Sequence, residues 1–67
     1  MLNWLVIGVG DITRKRVLPA VLAEPRSRLY ALLTRSPAKA AAYPGALVFT
    51  DLGEALRDPA IDAVYVA

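Results

Sequence analysis

Two closely spaced glycines follow the first apolar run of the chain, in the segment VIGVGDITRKRVLP. Gly8 permits a tight turn, and Gly10 lacks the side chain that would keep an anion away from the backbone. The first amides of a helix that begins here are unpaired and lie at the positive end of its dipole. We therefore expect Gly10, Asp11 and Ile12 to present amides to a phosphate group. The alternative is that both glycines serve only the turn.

This glycine pair matches the start of the dinucleotide fingerprint G-x-G-x-x-G/A, whose third small position falls on Thr13. Thr is larger than Gly or Ala, which lowers the specificity of the match. The context supports it, because the motif follows an apolar strand-like run and precedes a helical segment. The pattern predicts that the pyrophosphate of a dinucleotide binds at this turn.

A second polar segment, LLTRSPAK, follows the next apolar run. In a dinucleotide-binding fold this position, roughly 20 residues after the glycine turn, faces the adenosine ribose, and a carboxylate here favours NAD. The chain instead has Thr34, Arg35 and Ser36, with Lys39 one turn further on. Hydroxyls and a guanidinium suit a 2′-phosphate, so the segment favours NADP over NAD. The alternative is that Arg35 is a surface residue and Ser36 only caps a helix.

The elements that position these segments alternate along the chain. Four short runs are apolar at nearly every position, as in strands buried on both faces of a parallel sheet: 3–9, 28–34, 46–50 and 61–67. Three segments between them have helical spacing. The order βαβαβαβ predicts an α/β fold, one half of a doubly wound parallel sheet of the Rossmann type, truncated after its fourth strand.

Helix boundaries are predicted from local signals. Pro19 predicts a kink or restart of the first helix (11–24) after Lys15, because proline lacks an N–H and crowds the carbonyl four residues earlier. Ser36 is expected to cap the second helix. Asp51, with Glu54 three residues on, is expected to cap the third helix in an acidic capping box.

Composition excludes several kinds of chemistry. The 67 residues contain neither cysteine nor histidine, so they cannot form a disulfide, a thiolate metal site or a Ser-His-Asp triad. No metal site is expected. The formal charge of +2, with cations clustered only at 14–16, gives little support for a nucleic-acid surface. No signal peptide and no apolar run of about 18 residues is present, so a cytoplasmic protein without a membrane span is expected.

Three segments together resemble a known family: WLVIGVGDITRKRVLPAV, LYALLTRSPAKAAAYPG and VFTDLGEALRDPAIDAVYVA. They look like the N-terminal part of the glucose-fructose oxidoreductase and inositol dehydrogenase (Gfo/Idh/MocA) family. The resemblance implies a Rossmann domain used for NAD(P)-dependent hydride transfer on a sugar, cyclitol or related polyol. It implies these contacts: Gly8, Gly10, Asp11 and Ile12 to the pyrophosphate, Thr34, Arg35 and Ser36 to the adenosine ribose, and Ala67 at the end of the strand leading to the nicotinamide.

The resemblance also implies what residues 1–67 lack. The family's proline-asparagine loop, its glutamate-lysine-proline lysine and its acid/base residues would follow Ala67, so we expect an N-terminal part of a dinucleotide-binding domain without catalytic residues or a substrate domain. Tyr65, in a predicted buried strand, is expected to be core. One alternative is a non-catalytic nucleotide-binding or interaction module that pairs its exposed sheet edge with another chain or a second copy. Another is a methyltransferase, against which Arg35 argues.

Overall fold

The computed structural model describes residues 1–8, 10 and 13–66. Its strands are β1 (Leu2–Ile7), β2 (Ser27–Leu33), β3 (Leu47–Phe49) and β4 (Ala63–Val66). Its helical segments are a π-helical segment (Thr13–Val17), α1 (Leu18–Ala23), a 3₁₀ helix (Pro37–Ala42) and α2 (Leu52–Leu56). None of these described helices has the length and apolar character needed to span a bilayer.

The four strands form one parallel sheet in the order β3-β2-β1-β4. Leu5 and Val6, neighbours on the central strand β1, are both fully buried and belong to separate core clusters. Successive side chains of a strand point to opposite faces, so helices cover both faces. Leu18 of α1 packs in the cluster of Val6, and Ala55 of α2 packs in that of Leu5. The predicted α/β half of a doubly wound sheet is confirmed.

A bulge in β2 breaks the regular alternation. Trp4 pairs with Leu29, but Leu5 pairs with Ala31, so Tyr30 is skipped. Because of the extra residue, Tyr30 and Ala31 both pack in the cluster of Leu5. The bulge therefore brings the Tyr30 ring to the face of the sheet that α2 covers.

The first helix changes type where proline predicts a break. The π-helical segment ends at Val17, and α1 begins at Leu18, with Pro19 in its first turn. Proline cannot donate to the carbonyl of Lys15, and the wider π turn before it accommodates this missing bond. The predicted restart between Lys15 and Pro19 is confirmed.

The two predicted helix caps have different outcomes. Asp51 Oδ2 accepts the N–H of Glu54 at 2.9 Å and caps α2 as predicted. Ser36 makes no side-chain capping bond to the described 3₁₀ helix, so its predicted capping role is wrong. The reason lies two residues earlier, since Thr34 Oγ1 accepts the Ser36 N–H and fixes the backbone of Ser36 at φ −121° and ψ 88°.

The last strand is more exposed than its apolar sequence predicts. Val64, Tyr65 and Val66 are 43%, 39% and 69% exposed, so the expectation that Tyr65 is a core residue is wrong. The cause is position in the sheet: among the described strands β4 pairs with β1 alone, which makes it an edge strand with incomplete cover.

Candidate cofactor-binding site

A cavity of about 540 Å³ opens at the carboxyl-terminal edge of the sheet. Residues at the ends of three neighbouring strands line it. The described residues that line it are Ile7, Gly8 and Gly10 after β1, Leu33, Thr34, Arg35 and Ser36 after β2, and Thr50 and Leu52 after β3. Ligands of open parallel α/β sheets bind at this edge, in the crevice outside the strand ends. The structure thus places the glycine turn and the segment after β2 around one cavity.

The two glycines of the turn have different structural roles. Gly8 has φ 88°, a conformation that L side chains rarely adopt, and its N–H donates to the carbonyl of Leu33 at 2.9 Å. Gly10 is different, because a Cβ added there would meet no atom of the described residues within 4 Å. The fold therefore requires glycine at position 8, while the space beside Gly10 is open for the close approach of a ligand.

The predicted phosphate-binding turn continues beyond Gly10. Asp11 and Ile12 lie outside the described residues. Of the cations that follow, Lys15 and Arg16 are exposed. The two described glycines fit a pyrophosphate cradle through the conformation of Gly8 and the open space at Gly10.

Thr34 is buried at the cavity wall, with 7% of its surface exposed. Its N–H donates to the carbonyl of Phe49 at 3.0 Å, which ties the end of β2 to the end of β3. Its Oγ1 accepts the N–H of Ser36 at 3.1 Å and lies 3.4 Å from the Ser36 carbonyl oxygen, to which the hydroxyl donates. Thr34 therefore closes a short turn around Arg35.

Arg35 and Ser36 are exposed at the mouth of the cavity. Arg35 is the only charged residue among the described residues that line it, and these include no carboxylate. The nearby Asp51 carboxylate is engaged with the Glu54 amide as the cap of α2. The electrostatic character of the described wall is therefore positive, which suits a ligand that brings an extra phosphate.

The side chains of two further predicted residues lie outside the described part of the structure. Lys39 belongs to the 3₁₀ helix after Ser36, and its side chain is not described. Ala67 lies outside the described residues.

Sequence reasoning missed Thr50 and Leu52, which line the cavity after β3. The signal for them was available, because the carboxyl end of every strand in a parallel sheet reaches the same edge.

Two other cavities, of about 520 and 640 Å³, lie toward the opposite edge of the sheet. Both are lined by residues at the start of β2, such as Ser27, and by Met1. Their volumes are similar to that of the first cavity, but they are weaker candidates for the cofactor site. They lie away from the carboxyl ends of the strands and from the glycine turn. In the described part of the chain, no group of three or more acidic side chains is placed to bind a metal ion.

Comparison with solved structures shows the same fold in a ketoreductase and in a dehydrogenase. KijD10, a 3-ketoreductase from Actinomadura kijaniata, solved in complex with NADP, is 32% identical with a TM-score of 0.85. Its open conformation, in complex with TDP-benzene and NADP, is 33% identical with a TM-score of 0.83. In both, the match covers 97% of this chain and 22% of the enzyme.

D-galactose-1-dehydrogenase from Rhizobium etli is 29% identical, with a TM-score of 0.81, and the match covers 97% of this chain and 20% of that protein. The chain thus spans about a fifth of the length of these solved structures. No curated protein matches it. A model of the oxidoreductase family with an NAD-binding Rossmann fold matches residues 2–67. With the parallel sheet, the glycine turn and these likenesses, the chain belongs to the Gfo/Idh/MocA oxidoreductase family.

Proposed function

We propose that residues 1–67 form the N-terminal part of the dinucleotide-binding domain of an NADP-dependent oxidoreductase. The observation that carries the choice of NADP is the charge of the cavity wall, where Arg35 is present and no described lining residue is a carboxylate. A carboxylate at the end of β2 would accept the ribose hydroxyls of NAD and repel a 2′-phosphate. A guanidinium instead attracts the 2′-phosphate and cannot accept a hydrogen bond from a ribose hydroxyl.

The proposed pyrophosphate contacts come from the turn after β1. Gly8 gives the turn its shape through its positive φ, and the open space at Gly10 lets the pyrophosphate approach the backbone. Amides of Gly10, Asp11 and Ile12 are proposed to donate to its oxygens. These contacts do not distinguish NADP from NAD, because both cofactors contain the same pyrophosphate.

The proposed 2′-phosphate contacts come from the segment after β2. The Arg35 guanidinium presents paired N–H groups that match two phosphate oxygens, and it is exposed at the cavity mouth. The exposed hydroxyl of Ser36 is a second proposed donor, and Lys39 is a further proposed cation.

The proposed reaction is hydride transfer to or from a sugar, cyclitol or related polyol. Support comes from the likeness to a 3-ketoreductase and a galactose dehydrogenase. The bound nicotinamide supplies the hydride chemistry. Ala67 is proposed to end the strand that leads to the nicotinamide, and the residues that bind and protonate the substrate are proposed to belong to the part of the protein beyond this chain.

The test is a titration of the full-length protein with NADPH and NADH by calorimetry. We expect tighter binding of NADPH, and Arg35→Ala should weaken NADPH by about 10–100-fold, since a charged hydrogen bond contributes about 1.5–3 kcal/mol. NADH affinity should change less than about twofold. Arg57→Ala is the matched control, because Arg57 is an exposed arginine at the far end of α2. Equal weakening of both cofactors by Arg35→Ala would contradict the NADP assignment.

The exposed edge of β4 supports a second candidate function, an interaction module that extends its sheet with another chain or a second copy. Val64 and Val66 are exposed, and within the described sheet one side of β4 is unpaired. This candidate requires a folded protein that binds neither dinucleotide, and sedimentation that shows self-association or a bound partner. Dinucleotide binding by a monomer would exclude it.

A further inference from the structure

We propose that Thr34 is a positioning residue that sets cofactor preference through Arg35, without itself binding the 2′-phosphate. The proposal rests on the proposed function, because it presupposes that Arg35 binds the 2′-phosphate. This role does not depend on the direct ribose contact that the family resemblance implies for Thr34.

The hydrogen-bonding capacity of Thr34 supports this role. A threonine hydroxyl has one donor and two acceptor positions. In this structure the hydroxyl donates to the Ser36 carbonyl oxygen at 3.4 Å and accepts the Ser36 N–H at 3.1 Å. What remains is one acceptor lone pair, and a phosphate, which offers only acceptors at neutral pH, cannot use it. Direct binding of phosphate would require breaking the turn.

The backbone of Thr34 is fixed as firmly as its side chain. Its N–H donates to Phe49 at the end of β3, and only 7% of its surface is exposed. The turn to Ser36 therefore projects from a rigid base and not from a free loop.

Arg35 is the residue enclosed by this turn. Its side chain is exposed, and it has no hydrogen bond or ion pair with any described residue, so its direction depends on its backbone. Ordering a long side chain on binding costs conformational entropy, and a preformed backbone lowers that cost. Thr34 thus supplies the preorganisation that allows Arg35 to discriminate between NADPH and NADH.

The experiment is a double-mutant cycle in the full-length protein, with Thr34→Val, Arg35→Ala and the double variant, titrated with NADPH and NADH. Valine has nearly the same shape as threonine and replaces the hydroxyl with a methyl group, which cannot form hydrogen bonds. Thr34→Val should weaken NADPH by about 5–10-fold and NADH by less than twofold. In the Arg35→Ala background the same change should have no further effect on NADPH, since the residue acts through Arg35. Thr34→Ser, which keeps the hydroxyl, should restore wild-type preference.

Other outcomes overturn the proposal in distinguishable ways. If Thr34→Val weakens NADPH to the same extent with and without Arg35, Thr34 contacts the cofactor directly. If it weakens both cofactors equally, Thr34 acts on a feature that the two cofactors share, through a ribose contact or general stability, and not through Arg35. If it changes neither while Arg35→Ala removes the NADPH preference, the proposed function stands and this inference fails. If wild-type protein shows no NADPH preference, both fail.

Hydrogen exchange of the cofactor-free wild-type protein provides a test that needs no variant. The Ser36 amide should exchange about tenfold more slowly than an unbonded amide, because its N–H donates to Thr34 Oγ1. Exchange at the unprotected rate would show that the turn is absent in solution, and the proposal would be abandoned.

Discussion

The two edges of the sheet use their polar groups differently. At the amino-terminal edge, polar groups bind one another: the Asn3 N–H donates to Asp62 Oδ2 and its Nδ2 to the Ala60 carbonyl, both at 2.9 Å. The Trp4 indole donates to Ser27 Oγ at 3.1 Å. At the carboxyl-terminal edge, Arg35 and the Ser36 hydroxyl are exposed beside the cavity and have no described partner.

Asp58 also links two segments of the chain by hydrogen bonds, on the face of the sheet that α2 covers. Its Oδ2 accepts the Tyr30 hydroxyl at 2.7 Å, and its Oδ1 accepts the Ala60 N–H at 2.9 Å. It therefore fastens the loop before β4 to the bulge in β2. The comparison teaches that polar groups at one edge are used to stabilise the fold, while at the other edge Arg35 and the Ser36 hydroxyl remain available to a ligand. Substitutions at the two edges should accordingly separate stability from binding.

The largest effect on stability is expected for Asp58→Ala. The change leaves the Tyr30 hydroxyl and the Ala60 N–H without their acceptor, and should destabilise the domain by about 2 kcal/mol. Native-state hydrogen exchange of the β2 amides measures this loss. Affinities for NADPH and NADH should stay within twofold of wild type. Arg57→Ala, an exposed change at the end of α2, is the control and should shift stability by less than about 0.5 kcal/mol. A large loss of NADPH affinity in Asp58→Ala would contradict the conclusion that stability and cofactor binding depend on different edges of the sheet.

Gly8→Ala is expected to lower both the stability of the domain and its affinity for dinucleotides, because Gly8 shapes the turn and also lines the cavity. Alanine at φ 88° is strained, which should cost about 1–2 kcal/mol of stability. The turn beside the cavity would also be displaced, so both dinucleotides should bind more weakly. Hydrogen exchange and calorimetry on the same variant measure the two effects. A variant as stable as wild type would show that the positive φ is not required.

Gly10→Ala should affect binding alone. The added methyl group meets no atom of the described part of the chain within 4 Å, so stability should be unchanged within about 0.5 kcal/mol. Because the methyl group enters the space proposed for the pyrophosphate, both dinucleotides should bind about tenfold more weakly, a cost of about 1.4 kcal/mol. Calorimetry with NADPH and NADH measures it. Unchanged affinity for both cofactors would place the pyrophosphate elsewhere.

The smallest of these effects is a change in stability expected for Tyr30→Phe, and the size of this effect should depend on pH. The hydrogen bond to Asp58, followed by desolvation and the negative charge of Asp58, raises the pKa of Tyr30 above its ordinary value. The protonated hydroxyl is therefore favoured in the folded state. Its contribution to stability is complete below the unfolded pKa of about 10 and is lost as pH rises through the raised folded pKa. The stability difference between wild type and Tyr30→Phe should be constant from about pH 7 to 9 and shrink at higher pH. A difference that grows above pH 10 would contradict this assignment.

Local signals in the sequence were sufficient for most of the fold. The continuous apolar runs predicted strands buried on two faces, as Leu5 and Val6 are. The missing N–H of Pro19 predicted the break before α1, and the carboxylate of Asp51 predicted a cap. Each of these depends on residues within about one helical turn or one strand, so no knowledge of distant contacts was needed.

Features set by distant contacts were not predictable in this way. Tyr65 has the sequence of a buried strand, but its exposure depends on what packs beside β4. The bulge at Tyr30 depends on register with β1. For the site, the sequence predicted the glycine turn and Arg35 at one cavity, but it did not predict that Thr34 would engage the amide of Ser36. Competing local hydrogen bonds of this kind are decided by backbone geometry.

The strand order has a consequence for synthesis on the ribosome. β1 is central, yet its contact with the β4 side of the sheet, through Asn3 and Asp62, joins residues 59 positions apart. At roughly 5–20 residues per second, β4 is translated about 3–12 s after β1. The β1–β2 unit, which is far closer in sequence, can pair first. One edge of β1 is therefore open in the nascent chain for seconds, until β4 pairs with it.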